Sequence, residues 1–497
     1  MLNRVQATHL LNRAAYGPRP GDVDKVIRAG LSAYLDRQLD PGSIDDKETD
    51  SAVRSYSILG YSRAELAQMM LDRRILGRVK PAPESGLKAT PEALAARAKG
   101  RAHALEVQHV ALVRAISSER QLYEVMVDFW FNHFNVYMGK GQIRVLIPGY
   151  VEQVIRPHAL GRFRDLLGAT ARSPSMLAYL DNDQSVTPGS KPPEGTFKEP
   201  GPTRIPTGLN ENYARELLEL HTVGVDGGYD QQDVIEVARL FTGWSYDRLG
   251  DLPFRFNEWG HDQGEKTIMG NRFPPGGGVK EGERLLDILA SHPETMRFIG
   301  SKLCARFVND LVPPGCVDAA MEAWAKTGGD IRAVVRAILT SPEFWDEANF
   351  DVKFKTPLEF VASAVRALGG RSDSTTLLSE YLNRLGQPLY LCEAPTGYPE
   401  EKEPWVNSGA LVKRINFAMG LAAGRVQGVE LPAPTSSEST ADVGAMIRSI
   451  SDSILHGRAA DHTLRVMQES TAGMSEPAAA RTVIVGLAIG GPEFQMQ

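Results

Sequence analysis

The chain of 497 residues is long enough for two or three domains or for one large compact unit, and its 42% hydrophobic and 23% charged residues are typical of a soluble globular protein. Its net charge of −6 at pH 7 argues against a general nucleic-acid-binding protein, because such proteins carry an excess of basic residues. Cys304, Cys316 and Cys392 are too few for a disulfide framework or a closed zinc site, so we expect buried free thiols.

The first residues, MLNRVQATHLLNRAAYG, contain no apolar h-region and no small-residue cleavage site, so no signal peptide is predicted. No stretch approaches the roughly 18–20 apolar residues that a membrane-spanning helix needs. These patterns predict a cytoplasmic protein with no membrane span, with export in the company of a partner as the alternative.

Apolar residues spaced at three and four predict helices along most of the chain. Examples are SAYLDRQL, QLYEVMVDFWFNHF, ERLLDILASH and PLEFVASAVRAL. Strand-like alternation occurs near residues 253–273, where two short runs flank a turn-rich centre and predict one β-hairpin. The expected fold is therefore mainly α: a large multi-helix domain with a small β-hairpin insertion.

Composition also predicts the domain boundaries. Residues 78–101 are rich in Ala, Lys, Arg and Pro and form either a polar helix or a mobile loop, whereas residues 183–208 are dense in Pro and Gly and predict a long irregular loop. We expect a main helical domain over 1–426, a linker over 427–440, and a C-terminal helical segment over 441–497 that packs on the main domain.

The first polar cluster in chain order lies at the end of FWFNHFN. His133 continues an apolar stripe, so it is most simply a hydrogen-bonded histidine of the core. The alternative is that His133 lines a pocket together with Asn132 and Asn135, whose amides either cap the helix or bind a ligand.

The second cluster, in YLDNDQ, contains Asp181, Asn182 and Asp183. It is either a helix end that leads into a turn or an oxygen-rich site for a hard cation. The spacing does not match an EF-hand.

The third cluster lies in NENYARELLELHT. At about 100° per residue, Asn212, Glu216 and Glu219 share one helix face at spacings of four and three, and Arg215 precedes Glu219 by four. This face is either a set of catalytic groups or a solvated surface with an ion pair worth about 0.2–0.5 kcal/mol.

The same helix arithmetic predicts a core-facing stripe of Tyr213, Leu217 and Leu220. His221 lies nearly opposite the glutamates, so one regular helix does not bring all of them to a single metal ion. Further along, Asp230 with Asp233 three residues later predicts the start of the next helix.

The fourth cluster, WGHDQGEK, places His261 beside Asp262 with Lys266 nearby. These residues are either part of turn formation, or groups that ligate a metal or move a proton. The chain contains no GxxxxGK[ST], no GxGxxG after a strand and no GxSxG, so ATPase, Rossmann dehydrogenase and α/β-hydrolase functions are not expected.

Taken together, HLLNRAAYGPRPGDVDKVIRAGLSAYLDRQL, FWFNHF, YLDN, NENYARELLELHTVGVDGGYDQQDVIEVARLFTGW, HDQGEK and SPEF resemble the bacterial DUF1800 family of uncharacterised proteins. The resemblance extends from near residue 8 to the C-terminal end. It implies a mainly helical protein whose gene often lies beside that of an exported DUF1501-like protein. The polar positions that look family-wide are His133, Asp181, Asn182, Asn210, Glu211, Asn212, Arg215, Glu216, Glu219, His221, Thr222, Trp244, His261, Asp262 and Lys266.

Our leading hypothesis is a hydrolase-type enzyme that acts on a polar or saccharide-like small molecule. The residues expected to be catalytic are Asn212, Arg215, Glu216 and Glu219. Those expected to bind substrate are Asn135, Asp181, Asn182, Trp244 and Lys266. No cofactor is identified, and a divalent metal held by His133, His261 and Asp262 is one candidate.

The alternative is a non-catalytic protein that binds or assembles with the DUF1501-like gene product. In that case the Asn/Arg/Glu face is a buried polar network that fixes helix packing.

Overall fold

The structure is a computed structural model that describes residues 2–62, 64–65, 68–69, 91–141, 143–193, 208–247, 253–372, 376–436 and 442–497. Helices dominate, and the β structure of these residues consists of short two-stranded sheets, so the predicted mainly α class is confirmed.

The first part of the chain contributes the helices Arg4–Arg13, Asp22–Ala29, Leu31–Gln38, Lys47–Arg54, Pro91–Ser117 and Gln121–His133. The middle part contributes Ile143–Gly149, the π-helix Tyr150–Ile155, Arg156–His158, Phe163–Ala171, Pro174–Tyr179, Asn212–Glu216, the π-helix Leu217–His221 and Gln231–Leu240.

The last part contributes Val279–Ala290, Pro293–Phe307, Pro314–Thr327, Ile331–Leu339, Pro342–Trp345, Pro357–Ala367, Ser379–Leu385, Ser408–Ala422, Val443–Leu455, Asp461–Thr471, Pro477–Gly490 and Pro492–Gln495. Short 3-10 turns lie at Pro41–Ser43, Ser57–Leu59, Asn182–Gln184, Glu258–Gly260, Glu347–Asn349 and Glu403–Trp405.

The strands form antiparallel pairs: β1 (Trp244–Tyr246) with β2 (Phe254–Phe256), β3 (Lys266–Ile268) with β4 (Asn271–Phe273), and β5 (Arg371–Ser372) with β6 (Val429–Glu430). The predicted single hairpin across HDQGEK is wrong, because β2 pairs with the preceding strand and β3 with the following one. Met269 and Gly270 both have positive φ, as a tight two-residue hairpin turn requires, and this turn closes β3 onto β4.

The segments of unusual composition fall partly within the described residues. Residues 91–101 belong to the helix Pro91–Ser117, while 78–90 lie outside the described residues. Of the Pro/Gly-rich loop, residues 194–207 lie outside the described residues, and its two ends meet where the Val186 amide donates to the Gly208 carbonyl at 3.1 Å.

The C-terminal segment packs into the same core as the rest of the chain. The helix Pro477–Gly490 contacts Ser408–Ala422, and Met496 forms a β-bridge with Phe354. Within the predicted linker over 427–440, Val429–Glu430 pairs as β6 with Arg371–Ser372, which ties this stretch to the main body.

The expectation of three free thiols is wrong. Cys304 and Cys316 form a disulfide with a Cα–Cα distance of 6.1 Å, and Cys392 is free and half-buried. The two half-cystines lie on the helices Pro293–Phe307 and Pro314–Thr327, which pack side by side, so the tertiary contact of these helices brings the sulfur atoms together.

The helix in NENYARELLELHT is not regular to its end. It is α-helical over Asn212–Glu216 and then widens into the π-helix Leu217–His221. The wider turn changes which side chains face inward, so Leu218 is buried and Leu220 only half-buried, against the predicted core stripe. The Thr222 hydroxyl donates to the Leu217 carbonyl five residues earlier, at 2.6 Å.

Candidate active site

The face of Asn212, Glu216 and Glu219 is partly solvated. Arg215 donates to Gln231 at 2.8 Å and contacts Glu211 at 3.5 Å, so it does not pair with Glu219 as predicted. Burial, and next the negative charge of Glu219, raise the pKa of Glu216, against the opposing effect of Arg215. Neither glutamate side chain forms a hydrogen bond or ion pair with any residue in the described ranges.

Asp181 occupies a left-handed turn with φ of 56°, at the end of the helix Pro174–Tyr179. Its carboxylate accepts a 2.7 Å hydrogen bond from Lys140, and its carbonyl accepts one from the Asn210 amide at 3.2 Å. These contacts fix the turn that opens the long loop.

Asn182 and Trp244 are buried. The Asn182 amide donates to the carbonyls of Phe241 and Trp244, each at 3.2 Å, and so fastens this turn to β1. The Trp244 indole is fully buried. Both residues were predicted to bind substrate, and in the structure both side chains lie in the protein interior.

His133 is buried and donates from Nε2 to the His221 carbonyl at 3.2 Å. Burial lowers the pKa of both imidazoles, with a further contribution from the nearby Lys302 ammonium. Both rings are therefore neutral, and the core interpretation of His133 fits these contacts.

Lys266 is the centre of a second buried group. Its ammonium, only 1% exposed, donates to the Asp262 carbonyl at 2.6 Å, the Gly264 carbonyl at 2.9 Å and the Glu281 carboxylate at 2.8 Å. The Asp262 carboxylate in turn receives two hydrogen bonds from Arg239, at 2.9 and 3.0 Å.

His261 borders this group and donates from Nδ1 to the Thr242 carbonyl at 3.0 Å. Burial lowers its pKa. The His261–Asp262–Lys266 cluster therefore joins the hairpin β3–β4 to the helices Gln231–Leu240 and Val279–Ala290. The Lys266 ammonium and the His261 Nδ1–H group donate their hydrogen bonds to acceptors of the protein itself.

The structure brings some of the predicted site residues into contact, such as Asp262 with Lys266 and Asn182 with Trp244, but within the part of the chain that it describes it does not bond the glutamates to them. Across the ranges that the structure describes, no hydrogen bond or ion pair joins Glu216 or Glu219 to His133 or to the His261–Asp262 pair. Within the same ranges, no group of three or more His, Cys, Asp or Glu side chains is arranged to hold a metal ion.

A different group of polar residues surrounds a pocket. Its volume is about 510 Å³ when the open mouth is included, and the centre of a water-sized group can occupy about 30 Å³ of it. Its charged lining residues are Asp128, Arg306, Glu359 and Glu400. We call this the Asp128 pocket.

One wall of the Asp128 pocket is the helix Gln121–His133 and the residues that follow it. Asp128, Asn132 and Asn135 lie at spacings of four and three, on one side of that segment. The Asn132 amide exchanges two 2.7 Å hydrogen bonds with the Tyr398 backbone, and the Asn135 amide donates to the carbonyls at 392 and 394. Asn132 thus holds the pocket-lining residue Tyr398, and Asn135, predicted to bind substrate, holds the chain at 392–394 that precedes it.

Glu359 and Arg306, which both line the pocket, form an ion pair. The Glu359 carboxylate accepts hydrogen bonds from Arg306, from the Thr356 backbone at 2.8 Å and from Gln497 at 3.1 Å. Burial alone would raise the pKa of Glu359, but Arg306 and these hydrogen bonds outweigh burial and lower it to about 2. Glu359 is therefore a permanent anion.

Asp128 differs from Glu359 because its carboxyl group makes no hydrogen bond to any described residue. Burial is the largest cause that raises the pKa of Asp128, Arg306 opposes it, and Glu400 and Glu359 add smaller increases, with a net pKa of about 7. Burial also raises the pKa of Glu400, whose carboxylate lies 3.9 Å from Arg306. Two carboxyl groups with raised pKa values thus share one pocket, a pattern typical of acid–base sites.

Two further residues of the pocket stand out, one by a free hydrogen-bond donor and one by its backbone conformation. Gln387, 5% exposed, accepts from the Leu358 amide at 2.8 Å, while its own NH₂ group has no acceptor within the described chain. Tyr390 lines the pocket with φ of 63°, a left-handed conformation that costs a non-glycine residue roughly 1–3 kcal/mol and that clusters at functional sites.

Sequence reasoning missed this pocket, although one signal was present. The spacing of Asp128, Asn132 and Asn135 marks a polar stripe beside the apolar one that drew attention to His133. No sequence pattern predicts that Asp128 lies near Arg306, Glu359 or Glu400, because those residues belong to distant parts of the chain.

The family model described as "Protein of unknown function (DUF1800)" matches residues 9–496, which is nearly the whole chain. No curated protein and no solved structure matches the chain. Among the described helices, none is long and apolar enough to cross a membrane.

Proposed function

Because the chain belongs to the DUF1800 family, whose description names no reaction, we propose its function from the Asp128 pocket: it is a hydrolase in which Asp128 is the general base. The proposal keeps the hydrolase class expected from the sequence and moves the catalytic centre from the Glu216–Glu219 face to this pocket. The observation that carries it is an unpaired carboxyl group facing a pocket large enough for water.

The size of the pocket suits a bound water molecule. A water needs roughly 10–15 Å³ of space for its centre, so the 30 Å³ present accommodates about two water-sized groups. A general base must reach the proton that it removes, directly or through one water. Asp128, with no competing protein donor and a pKa of about 7, is ionised in a large fraction of molecules near neutral pH.

Glu400 supplies the complementary acid. In the proposed step the water oxygen attacks the electrophilic centre of the substrate and its proton passes to Asp128. The bond to the leaving group breaks, and Glu400, whose pKa is raised by burial, gives its proton to that group. Arg306, held by Glu359, stays charged and limits the repulsion between the two acids.

The test measures hydrolysis of p-nitrophenyl acetate, p-nitrophenyl phosphate and a set of p-nitrophenyl glycosides by the full chain. We expect one of these classes to be turned over, at a rate that rises with pH through about 7, as ionisation of Asp128 requires. Asp128→Asn should lower that rate about 100-fold or more.

The matched control is Glu322→Gln, which removes an acid on the surface, where Glu322 pairs with Lys326. It should leave the rate unchanged. Absence of turnover on all three classes, or an Asp128→Asn variant as active as the unmodified protein, would refute the proposal.

A non-catalytic role as a binding or assembly partner of an exported protein is the competing proposal. It predicts that Asp128→Asn, Glu216→Gln and Glu219→Gln affect stability alone. Copurification with a DUF1501-like protein expressed together with this chain, unaffected by Asp128→Asn, would support that role.

The disulfide is relevant to the cellular compartment in which this protein resides. Disulfides persist in oxidising compartments and are rare in the cytosol of mesophiles. The Cys304–Cys316 bond therefore favours the export alternative over the predicted cytoplasmic location. The oxidation state of these cysteines in protein from each cell fraction, read by thiol alkylation, tests this.

A further inference from the structure

We propose that the Asp128 pocket recognises a 2-amino alcohol, a unit with an ammonium group and a hydroxyl group on adjacent carbons, as in ethanolamine or an amino sugar. This inference rests on the proposed hydrolase and names the product that the pocket holds, since the ammonium and the hydroxyl take the space of the attacking water once that water has reacted.

Charge is the first argument. Three acids, Asp128, Glu359 and Glu400, line the pocket against one guanidinium, Arg306, which is already paired with Glu359. A cation placed beside Asp128 would give its unpaired carboxylate a partner and offset the repulsion from the other two acids. Charge-assisted hydrogen bonds of this kind are about twice as strong as neutral ones.

The second argument is the free amide of Gln387. This side chain is almost fully buried, lines the pocket and keeps an NH₂ group that donates to no described residue. An ammonium cannot accept that hydrogen bond, but an adjacent hydroxyl can. The pocket therefore offers one anionic acceptor and one neutral donor.

The third argument is the shape of the pocket. Its interior admits about two water-sized groups, which matches one ammonium and one hydroxyl, with the rest of the ligand at the mouth. The rings of Phe131, Tyr390 and Tyr398 line the same space, and aromatic faces attract alkylammonium groups. The Tyr398 ring is held by its hydroxyl, which donates to the Pro388 carbonyl at 2.8 Å.

The affinity should depend on pH, because an alkylammonium binds the ionised form of Asp128. Arg306, Glu400 and Glu359 act on this carboxyl, and together with burial they give it a pKa of about 7. Tyr16 and Tyr390 are close enough to Asp128 to interact with it electrostatically. Burial raises the pKa of each phenol, so both stay neutral. From about pH 6 to about pH 8 the ionised fraction of Asp128 rises about tenfold, and so should the association constant.

The experiment is isothermal titration of the full chain with ethanolamine, ethylamine and ethylene glycol. We expect one ethanolamine per chain, weaker binding of ethylamine and no measurable binding of ethylene glycol. Asp128→Asn should abolish binding of both amines. Gln387→Met should reduce ethanolamine to the affinity of ethylamine and leave ethylamine unchanged, with circular dichroism used to verify folding.

Glucosamine, titrated at about pH 7, separates the two sources of the unit. Tighter binding than ethanolamine identifies an amino sugar, and weaker binding identifies a small head group. Equal binding of ethylene glycol and ethanolamine, no binding of either amine, or full binding by a folded Asp128→Asn variant would each overturn the inference.

The proposed hydrolase and this inference fail separately. Hydrolysis of a p-nitrophenyl substrate that depends on Asp128, without competition from ethanolamine, refutes the amino alcohol and retains the enzyme. Ethanolamine binding that depends on Asp128, without hydrolysis of any substrate class, retains the ligand and refutes the enzyme.

Discussion

Replacing Asp128 by Asn should stabilise the protein, and the gain should grow with pH. Burial holds the pKa of Asp128 near 7 in the folded state, whereas an unfolded aspartate titrates near its ordinary value. Between those two values the unfolded chain loses its proton while the folded chain keeps it. Because the folded pKa is the higher one, the stability contributed by Asp128 is fully present at acid pH and is lost as pH rises through about 7.

The size of the stabilisation follows from the part of the pKa shift of Asp128 that lies above pH 5. This part spans about two pH units, from about pH 5 to about pH 7, and each unit corresponds to about 1.4 kcal/mol. The free energy of unfolding should therefore increase by at most about 3 kcal/mol. Water at the mouth of the pocket screens part of this electrostatic effect, so we expect the Asp128→Asn variant to be more stable by roughly 1–2 kcal/mol.

The assay is thermal unfolding of both proteins in buffers from about pH 5 to about pH 8. The variant should melt above the unmodified chain by a margin that widens up to about pH 7 and is constant beyond it. Glu322→Gln, on the surface, should show no such trend. A variant of Asp128 that is less stable at every pH, or a margin independent of pH, would refute the assignment of an unpaired buried carboxyl group.

Three other expectations concern the groups outside the pocket. Lys266→Met should lower the free energy of unfolding by about 3–5 kcal/mol, because it leaves a buried carboxylate unpaired. The control Lys326→Met, on the surface, should change the free energy of unfolding by less than about 1 kcal/mol. Equal effects of the two substitutions would contradict a stabilising role of the buried Lys266 network. Replacing Cys304 and Cys316 together by Ser should cost about 3 kcal/mol, and a reductant should lower the melting temperature of the unmodified chain only; unchanged melting in both experiments would argue against the disulfide. Glu216→Gln should leave the melting temperature at neutral pH equal or higher, because burial raises the pKa of this carboxyl, and should not reduce hydrolysis; a loss of activity comparable to that of Asp128→Asn would return the catalytic centre to this helix.

The local features of the fold follow from residues close together in sequence. Asp230 and Asp233 predict a helix start, and in the structure the Asp230 carboxylate accepts from the Asp233 amide at 2.9 Å at the beginning of Gln231–Leu240. Such a cap depends on a few consecutive residues, and so does the apolar periodicity that predicts the helices. For the same reason the long motifs were sufficient to identify the family.

The features that required the tertiary structure are those made by distant residues. The Asp128 pocket combines helices and loops that begin near residues 121, 293, 357 and 386, and the raised pKa of Asp128 depends on burial and on Arg306 and Glu400, which no local pattern specifies. The pairing of Cys304 with Cys316 depends on the packing of two helices. The sequence by itself determined the helical class, the helix caps and the family, because these rest on short-range periodicity and hydrogen bonding; the location of the unpaired acid was decided by long-range packing.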